Sequence, residues 1–341
     1  MKTIFLTLFS LNLLAVFAQH HDHTHEKKPS NAREIWGDFE ENQLIKKKEV
    51  DWRQTPIAGK IMKRGKLKKG YEFVDSIDVF SIVYESDGLM VTGFMVTPKK
   101  SDQYPCVIYN RGGNRDFGQL LVGTALVYFG KIAAQGYVVI GSNYRGNSNS
   151  EGQEEFGGKD VNDVLNLVPA LAQIKKADTS RIGLLGVSRG GMMTYLAMKK
   201  SCQFKAAIVI GGLSDLQIMK EQRPDMESHV FAQLIPNYTD SIPSAIHSRS
   251  ANQWVNKFCK TTNLLILHGD QDERCHPSMA QTLHESLKNI NFPHQYYAYK
   301  KGNHGLRSYQ EHMFESIYQW LDKYVKNGNE FDETTAKIVL K

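Results

Sequence analysis

The sequence predicts an α/β protein with a mostly parallel central sheet, helices on both faces and a short helical lid. Three observations support this. Apolar strand-like runs alternate with helical segments between residues 106 and 327. The strands are nearly continuous apolar runs, which is typical of parallel strands buried on both faces. Residues 213–262 interrupt the alternation over about fifty residues, too many for a simple loop, so we interpret them as a lid.

The composition describes an ordinary globular protein. The 341 residues are 41% hydrophobic and 23% charged, which excludes wholesale disorder, and glycine and proline follow no fibrous repeat. The formal net charge is +6, but the basic residues are scattered. The densest basic run, residues 46–48, has no interleaved aromatic residues. It therefore predicts a solvated surface rather than a nucleic-acid site.

Four cysteines do not form a disulfide scaffold, because a chain of this length buries a sufficient core without one. Cys106, Cys202, Cys259 and Cys275 can pair in three ways, and the sequence does not choose among them. Cys106 lies inside an apolar strand, which favours a buried free thiol there. Their spacing does not fit a zinc site, and we predict no metal and no cofactor.

Residues 1–18 have the pattern of an export signal. Lys2 supplies a positive start, an apolar stretch follows, and Val16 and Ala18 are the small residues expected before a cut at Gln19. The stretch is too short and too polar for a convincing membrane span, although an uncleaved anchor is the alternative. We expect export to a periplasm or the cell exterior, without stable membrane insertion.

A histidine-rich segment, His20 to His25, follows the predicted cut. It could hold a transition metal loosely or form a polar leader, and we favour the leader.

The elements follow in a regular order. Residues 19–77 carry many charges and no strong period, so we expect an N-terminal extension. Two β-like runs, 78–86 and 89–97, flank Asp87-Gly88, a hairpin dipeptide. The main domain spans 78–327, and a tail, 328–341, follows it. Further strands are predicted at 106–110, 137–144, 182–188, 206–212, 263–269 and 294–300. Helices are predicted at 118–134, 160–175 with a kink at Pro169, 190–200, 277–289 and 307–327.

Residues 186–191 read GVSRGG, a match to the G-x-S-x-G pattern placed between a strand and a helix. Such a tight turn projects the side chain of Ser188 above the sheet, and Gly186 and Gly190 remove side chains where backbone segments crowd. The following helix N-terminus favours negative charge nearby. We therefore predict that Ser188 is a nucleophile, with a plain turn as the alternative.

A serine nucleophile needs a base, and the base needs an acid that orients it. In sheets of this kind the chain order is serine, acid, histidine. The loop 268–277 offers Asp272, and the loop 301–305 offers His304. Both loops follow strands of the parallel sheet, so we expect them at the same edge as Ser188.

Other residues compete for both roles. Asp270 is closer to its strand and favours a turn, while Asp215 lies where some hydrolases place the acid one strand earlier. We rank Asp272 first, Asp215 second and Asp270 third. Three further histidines are weaker bases, because their positions favour packing, a helix start or the wrong end of a strand: His268, His276 and His294.

Charge that develops on a reacting carbonyl oxygen needs fixed hydrogen-bond donors. One is expected from the backbone N–H of Arg189, which follows the nucleophile. The other is expected from the loop NRGGN, where Gly112 and Gly113 allow main-chain N–H groups to approach a ligand. Tyr144 follows a strand at the same edge, and either lines the site or belongs to a structural turn.

Several segments together resemble the catalytic domain of the prolyl oligopeptidase family of serine peptidases, within the α/β-hydrolase superfamily. They are PCVIYNRGGN, SNYRGNSNSEGQ, DTSRIGLLGVSRGGMMT, LLILHGDQDERC and KGNHG, and the similarity covers residues 80–325. The resemblance implies an α/β-hydrolase fold and a triad of Ser188, Asp272 and His304, because HG-x-x-D marks the acid in this family. It also implies an oxyanion-hole N–H near Gly112.

Two features depart from the family pattern. Where members often read HGGP, this chain reads Arg111-Gly112-Gly113-Asn114, and Arg111 either faces a substrate carboxylate or packs outside the site. About sixty residues precede the hairpin after the predicted cut, too few for the β-propeller that filters peptides in many members. Selection of peptide ends by a propeller is therefore not implied.

Three functions fit these residues. We favour an exported serine peptidase that acts on short peptides through an acyl-enzyme. The second is a carboxylic-ester hydrolase for acetyl or sugar esters, which would use the same triad. The third is a non-catalytic binding protein on a hydrolase fold, and the complete triad in order argues against it. The expected partner is a small molecule or short peptide, not a nucleic acid.

Overall fold

The computed structural model describes residues 31–332 and 335–339; the predicted signal peptide and the histidine-rich segment lie outside them. The strands are β1 (Ile45–Glu49), β2 (Met62–Lys63), β3 (Lys66–Leu67), β4 (Ile77–Ser86), β5 (Leu89–Pro98), β6 (Tyr104–Asn110), β7 (Val138–Ser142), β8 (Ala177–Val187), β9 (Phe204–Ile210), β10 (Asn263–Gly269), β11 (His294–Tyr299) and β12 (Thr335–Val339). In the described part of the chain, ten strands form one sheet in the order β1-β4-β5-β7-β6-β8-β9-β10-β11-β12, and β2 pairs with β3.

Strands β6 to β12 run parallel to one another. The hairpin β4–β5 joins them through an antiparallel pairing of β5 with β7, and β1 pairs antiparallel with β4. At the hairpin turn Asp87 and Gly88 have φ of +54° and +80°. A two-residue turn of this hand requires left-handed backbone at both positions, so the predicted hairpin is confirmed.

Helices cover both faces of the sheet. They are α1 (Ala32–Trp36), α2 (Pro56–Ile61), α3 (Val122–Thr124), α4 (Gly130–Ala133), α5 (Val161–Leu165), α6 (Leu167–Ala172), α7 (Arg189–Lys200), α8 (Leu216–Gln222), α9 (Ala232–Leu234), α10 (Ile242–Arg249), α11 (Pro277–Asn289) and α12 (Gln310–Leu321). Side chains of α5, α6, α7 and α11 pack on one face, and side chains of α4 and α12 on the other. Ile108 of β6 points to the first face and Val107 to the second. The predicted fold class is therefore confirmed.

The helix predicted at 160–175 divides into α5 and α6 at Asn166. Pro169 explains the break, because it has no N–H for the helical ladder and its ring crowds the carbonyl four residues earlier. The helix predicted at 118–134 starts only at Val122 and contains a π-helical segment between α3 and α4.

The π-helical segments are Ala125–Phe129, Glu227–Phe231 and Asp322–Lys326. The 3₁₀ turns are Trp52–Gln54, Glu72–Ser76, Tyr238–Asp240, Ala251–Gln253, Val255–Lys257 and Arg307–Tyr309. None of the helices in the described residues is long and apolar enough to cross a bilayer.

The insertion 213–262 is helical and contains α8, α9 and α10. Its side chains, Phe231 and Trp254 among them, join the buried cluster on the first face of the sheet. A disulfide between Cys202 and Cys259 ties the end of the insertion to the loop after α7. The other two cysteines are buried free thiols: Cys106, as predicted, and Cys275.

Two segments that we did not place in the sheet contribute strands to it. β1 belongs to the extension 19–77, and β12 belongs to the tail 328–341. β1 reads IKKKE, and only Ile45 is buried. A strand at a sheet edge has one side in water, so charged side chains replace the apolar run that would have indicated it.

The lysines of β1 lie against aromatic rings. Nζ of Lys47 is 4.2 Å from the centroid of the Phe80 ring, and Nζ of Lys48 is 4.5 Å from that of Trp36. Lys46 donates hydrogen bonds to the backbone carbonyls of Trp36 and Gly37 at the end of α1. The basic run therefore covers aromatic rings at this edge of the sheet.

Candidate active site

Ser188 lies in the sharp turn between β8 and α7. Its backbone has φ +58° and ψ −125°, a conformation that residues with a side chain rarely adopt. The turn is compact: a Cβ on Gly186 would lie 2.3 Å from the carbonyl oxygen of Gly190, and a Cβ on Gly190 would lie 1.9 Å from that of Asn110. Both glycines of the motif are therefore required by close backbone contacts.

Asp272 and His304 come together from two separate loops. Nδ1 of His304 lies 2.9 Å from Oδ1 and 2.8 Å from Oδ2 of Asp272. The backbone N–H groups of Arg274 and Cys275 each donate to Oδ1 at 2.9 Å. Because the carboxylate accepts, Nδ1 carries the proton and Nε2 is left as an acceptor. This is the tautomer that a general base requires.

A second imidazole contacts the same carboxylate. Nε2 of His268 lies 3.2 Å from Oδ2 of Asp272 and 2.8 Å from the carbonyl oxygen of Cys275. Burial alone would raise the pKa of Asp272, but hydrogen bonds from His268 and His304 outweigh burial and hold that pKa well below its usual range. His268, which the sequence placed among the competing bases, thus lies behind the acid.

The Ser188 turn adjoins this pair without a direct bond to it. Ser188 N donates to the carbonyl of Ile210 at 3.0 Å, and a Cβ on the next residue, Gly211, would lie 3.1 Å from Nδ1 of His304. The buried Cys275 thiol lines the same cleft as Ser188, and burial raises its pKa, so the thiol stays protonated. Within the described residues no hydrogen bond joins Ser188 Oγ to His304.

Gly112 faces the serine side chain. A Cβ on Gly112 would lie 3.0 Å from Cβ and 3.6 Å from Oγ of Ser188, so this backbone passes close to the hydroxyl. Gly113 has φ +74°, and a Cβ there would lie 2.0 Å from the carbonyl oxygen of Phe117. Arg189 begins α7, so its N–H is one of the donors that a helix leaves without an internal acceptor. The backbone at Gly112 and at Arg189 therefore adjoins Ser188.

Arg111 and Tyr144 do not reach the cleft. Arg111 is 1% exposed, and its guanidinium donates to the carbonyl of Asn143 and to carbonyls of its own loop. Tyr144 is buried, and its hydroxyl donates to the carbonyl of Arg111. Both side chains fix the loop from behind, so the structure favours the packing alternative over substrate contact.

The competing acids and bases are engaged elsewhere. Asp215 caps the start of α8, and Asp270 lies 3.4 Å from Nζ of Lys300. His276 caps the start of α11, and His294 is buried against another imidazole. Among the described residues, no three His, Cys, Asp or Glu side chains cluster as metal ligands.

The role of the Arg189 side chain was not predicted from the sequence. Its guanidinium is buried and paired with Glu154 and Asp160, two acids from the segment after β7. No local pattern links residues about thirty positions apart in the chain. An arginine one position after a nucleophile would be expected in solvent.

Ser188 lines a cleft of about 340 Å³. The insertion supplies part of its wall through Met219 and Met226, and the buried part includes Phe156 and Leu213. The predicted lid thus does shape the cleft. A cleft of this size, with an apolar interior and Ser188 in its wall, is large enough to hold an amino-acid side chain.

The chain is similar in sequence to known peptidases. The sequence model of the prolyl oligopeptidase family matches residues 126–328. The chain is 30% identical over 247 residues to the uncharacterized peptidase YtmA of Bacillus subtilis, a match that covers 72% of this chain and 93% of that relative. It is 25% identical to dipeptidyl-peptidase 5 of Porphyromonas gingivalis over 70% of this chain, which spans only 36% of that longer relative.

Solved structures share the fold. An acylaminoacyl peptidase of Pyrococcus horikoshii matches with a TM-score of 0.64 at 21% identity, over 76% of this chain and 43% of that one. A puromycin-hydrolyzing peptidase of Mycobacterium tuberculosis matches with a TM-score of 0.61 at 20% identity, over 76% and 47%. These likenesses show the α/β-hydrolase fold, and the family match covers more than half of the chain. The protein is therefore a serine hydrolase that belongs to the prolyl oligopeptidase family.

Proposed function

We propose that this protein is an exported serine peptidase that acts on short peptides through an acyl-enzyme on Ser188. One observation carries the proposal: Nδ1 of His304 is held by Asp272 beside the strained turn that presents Ser188. That arrangement supplies a nucleophile, an oriented base and an ionised acid at one edge of the sheet.

In the proposed mechanism, Ser188 Oγ attacks the scissile carbonyl while Nε2 of His304 takes its proton. The backbone N–H groups at Gly112 and Arg189 stabilise the oxyanion that forms. His304 then gives the proton to the leaving amine, and Asp272 stabilises the imidazolium in both steps. Water attacks the acyl-enzyme in the same way and releases the acid.

Peptide substrates are supported by the relatives, whose names include a dipeptidyl-peptidase and an acylaminoacyl peptidase. The cleft of about 340 Å³ suits one or two residues of a peptide rather than a folded chain.

Export is supported by the pattern of residues 1–18 and by the disulfide between Cys202 and Cys259. Disulfides persist mainly in oxidising compartments. N-terminal sequencing of the protein recovered from the periplasm or the medium of its own cells is expected to begin at Gln19. An intact Met1 in the cytoplasmic fraction would contradict export.

The function is tested with the mature protein, Ser188→Ala, and Ser180→Ala as a matched control at the opposite end of β8. A fluorophosphonate probe is expected to label the wild type and the control, but not Ser188→Ala. Aminoacyl and dipeptidyl anilides should be hydrolysed with the same dependence on Ser188. Turnover of acyl esters alone would point instead to the ester hydrolase, and hydrolysis that survives Ser188→Ala would end the serine mechanism.

A further inference from the structure

The residue after the nucleophile brings a positive charge to the wall of the cleft. Arg189 is 3% exposed and lines the cleft beside Ser188. Left alone, a buried guanidinium at this position would attract a substrate carboxylate. It is not left alone: Nη1 pairs with Oε1 of Glu154, and Nη2 lies 2.6 Å from Oδ2 of Asp160.

Both acids are themselves buried, Glu154 at 9% and Asp160 at 0% exposure. Two carboxylates therefore face one guanidinium, and this part of the wall offers no net positive charge to a ligand. The centroid of the Phe156 ring, which also lines the cleft, lies 4.8 Å from the guanidinium carbon.

Glu154 also connects the two parts of the oxyanion site. Its second oxygen, Oε2, accepts a hydrogen bond from Arg115 N at 2.7 Å. Nη1 of Arg189 donates to the carbonyl of Gly113 at 3.0 Å. One carboxylate thus fixes the loop that carries Gly112 and holds the guanidinium directed into that loop rather than into the cleft.

The rest of the buried wall is apolar. Leu213, Met219 and Val230 line the cleft, and each is less than 7% exposed. The other charged groups lie toward the rim: Arg223 pairs with Asp225 at 3.2 Å, and the exposed guanidinium of Arg274 lies 5.8 Å from the centroid of the Phe117 ring. A charged substrate side chain that enters past the rim would lose its water and find no free partner.

Resting on the proposed function, we propose that Glu154 is a specificity-determining residue. It withholds the Arg189 guanidinium from the cleft, so that the enzyme selects an uncharged side chain on the acyl residue of its substrate. In Glu154→Gln the shape and an acceptor for Arg115 N remain. The net charge of the two acids and the guanidinium rises by one unit to zero, so the repulsion that excludes an acidic acyl residue is removed.

The test measures kcat/KM on N-acetyl-aminoacyl coumarin amides and on the matching nitrophenyl esters, with Met, Gln or Glu as the acyl residue. In the wild type, kcat/KM is expected to be about 100-fold or more higher for the Met substrate than for the Glu substrate. The reason is that an unpaired charge in such a site lowers kcat/KM by at least about two factors of ten. Glu154→Gln should narrow that ratio by about tenfold, and Glu155→Gln, which removes the same charge one residue away, should leave it unchanged.

Equal wild-type rates on Met and Glu substrates would overturn the inference, as would a ratio that Glu154→Gln leaves unchanged. If Glu154→Gln fails to fold, Asp160→Asn tests the same charge and should shift the ratio in the same direction. Fluorophosphonate labelling of Ser188 accompanies each assay. If the probe labels Ser188 but the wild type does not distinguish Met from Glu substrates, only this inference is refuted. If the wild type shows neither labelling nor turnover, the proposed function is refuted.

Discussion

Reduction of the disulfide between Cys202 and Cys259 is expected to lower the free energy of unfolding by about 4 kcal/mol. The bridge joins residues 57 positions apart. Closing a loop of that length removes conformational entropy from the unfolded chain, and the loop-length relation gives about 4 kcal/mol at 25 °C. The loss is large against the roughly 5–15 kcal/mol that separates folded from unfolded states of most domains.

The assay is urea denaturation of the mature protein with and without a reductant, followed by fluorescence. Thiol titration of the unfolded protein should count two free thiols before reduction and four after it, because Cys106 and Cys275 are unpaired. The double variant Cys202→Ala/Cys259→Ala is expected to unfold at the midpoint of the reduced wild type, with no response to reductant. A wild-type midpoint that does not move when four thiols are counted would refute the reasoning.

Four further predictions follow from the site and its support. Asp272→Asn should lower kcat by roughly 10⁴-fold on aminoacyl anilides, because the amide no longer holds His304 in its working tautomer; a loss below tenfold would contradict this. The lowered pKa of Asp272 means that its contribution to stability is present above about pH 4 and disappears as the pH falls. The free energy of unfolding should therefore fall more steeply with decreasing pH in the wild type than in Asp272→Asn. Identical slopes would contradict this prediction. Gly190→Ala places a Cβ 1.9 Å from a carbonyl at the end of β6. Thermal melts should therefore show a loss of about 1–3 kcal/mol or more in the free energy of unfolding, together with lost activity. A melting temperature equal to that of the wild type would contradict this prediction. Arg145→Met leaves the buried carboxylate of Asp163 unpaired and should cost about 3–5 kcal/mol in urea titrations, which a second change of Asp163 to Leu should largely restore.

The strand–helix alternation and the hairpin could be predicted because local rules decide them. Apolar runs mark strands that are buried on both faces, and Asp87-Gly88 suits the left-handed turn that the hairpin needs. β1 could not be predicted, because an edge strand with a single buried side chain at Ile45 carries no apolar pattern. β12 was missed because its pairing with β11 depends on a strand forty residues earlier in the chain.

The candidate site divides in the same way. The shared position of the loops that carry Ser188, Asp272 and His304 could be predicted because each loop follows a strand, and parallel strands end at one edge. The functions of the buried charged side chains could not be predicted, because their partners are distant in the chain. Arg111 could have faced a substrate, and only the carbonyls around it in three dimensions assign it to the loop. The pairing of Arg189 with Glu154 is of the same kind.

The lysine-bearing edge strand also bears on how the protein behaves at high concentration. Within the part of the chain that the structure describes, the outer side of β1 pairs with no other strand, and such an edge in a flat apolar strand would template association with another sheet. Here an approaching chain would have to strip water from the ammonium groups of Lys47 and Lys48 and displace them from the rings of Phe80 and Trp36. The same run of charge that obscured the strand in the sequence thus protects the molecule against aggregation through this edge.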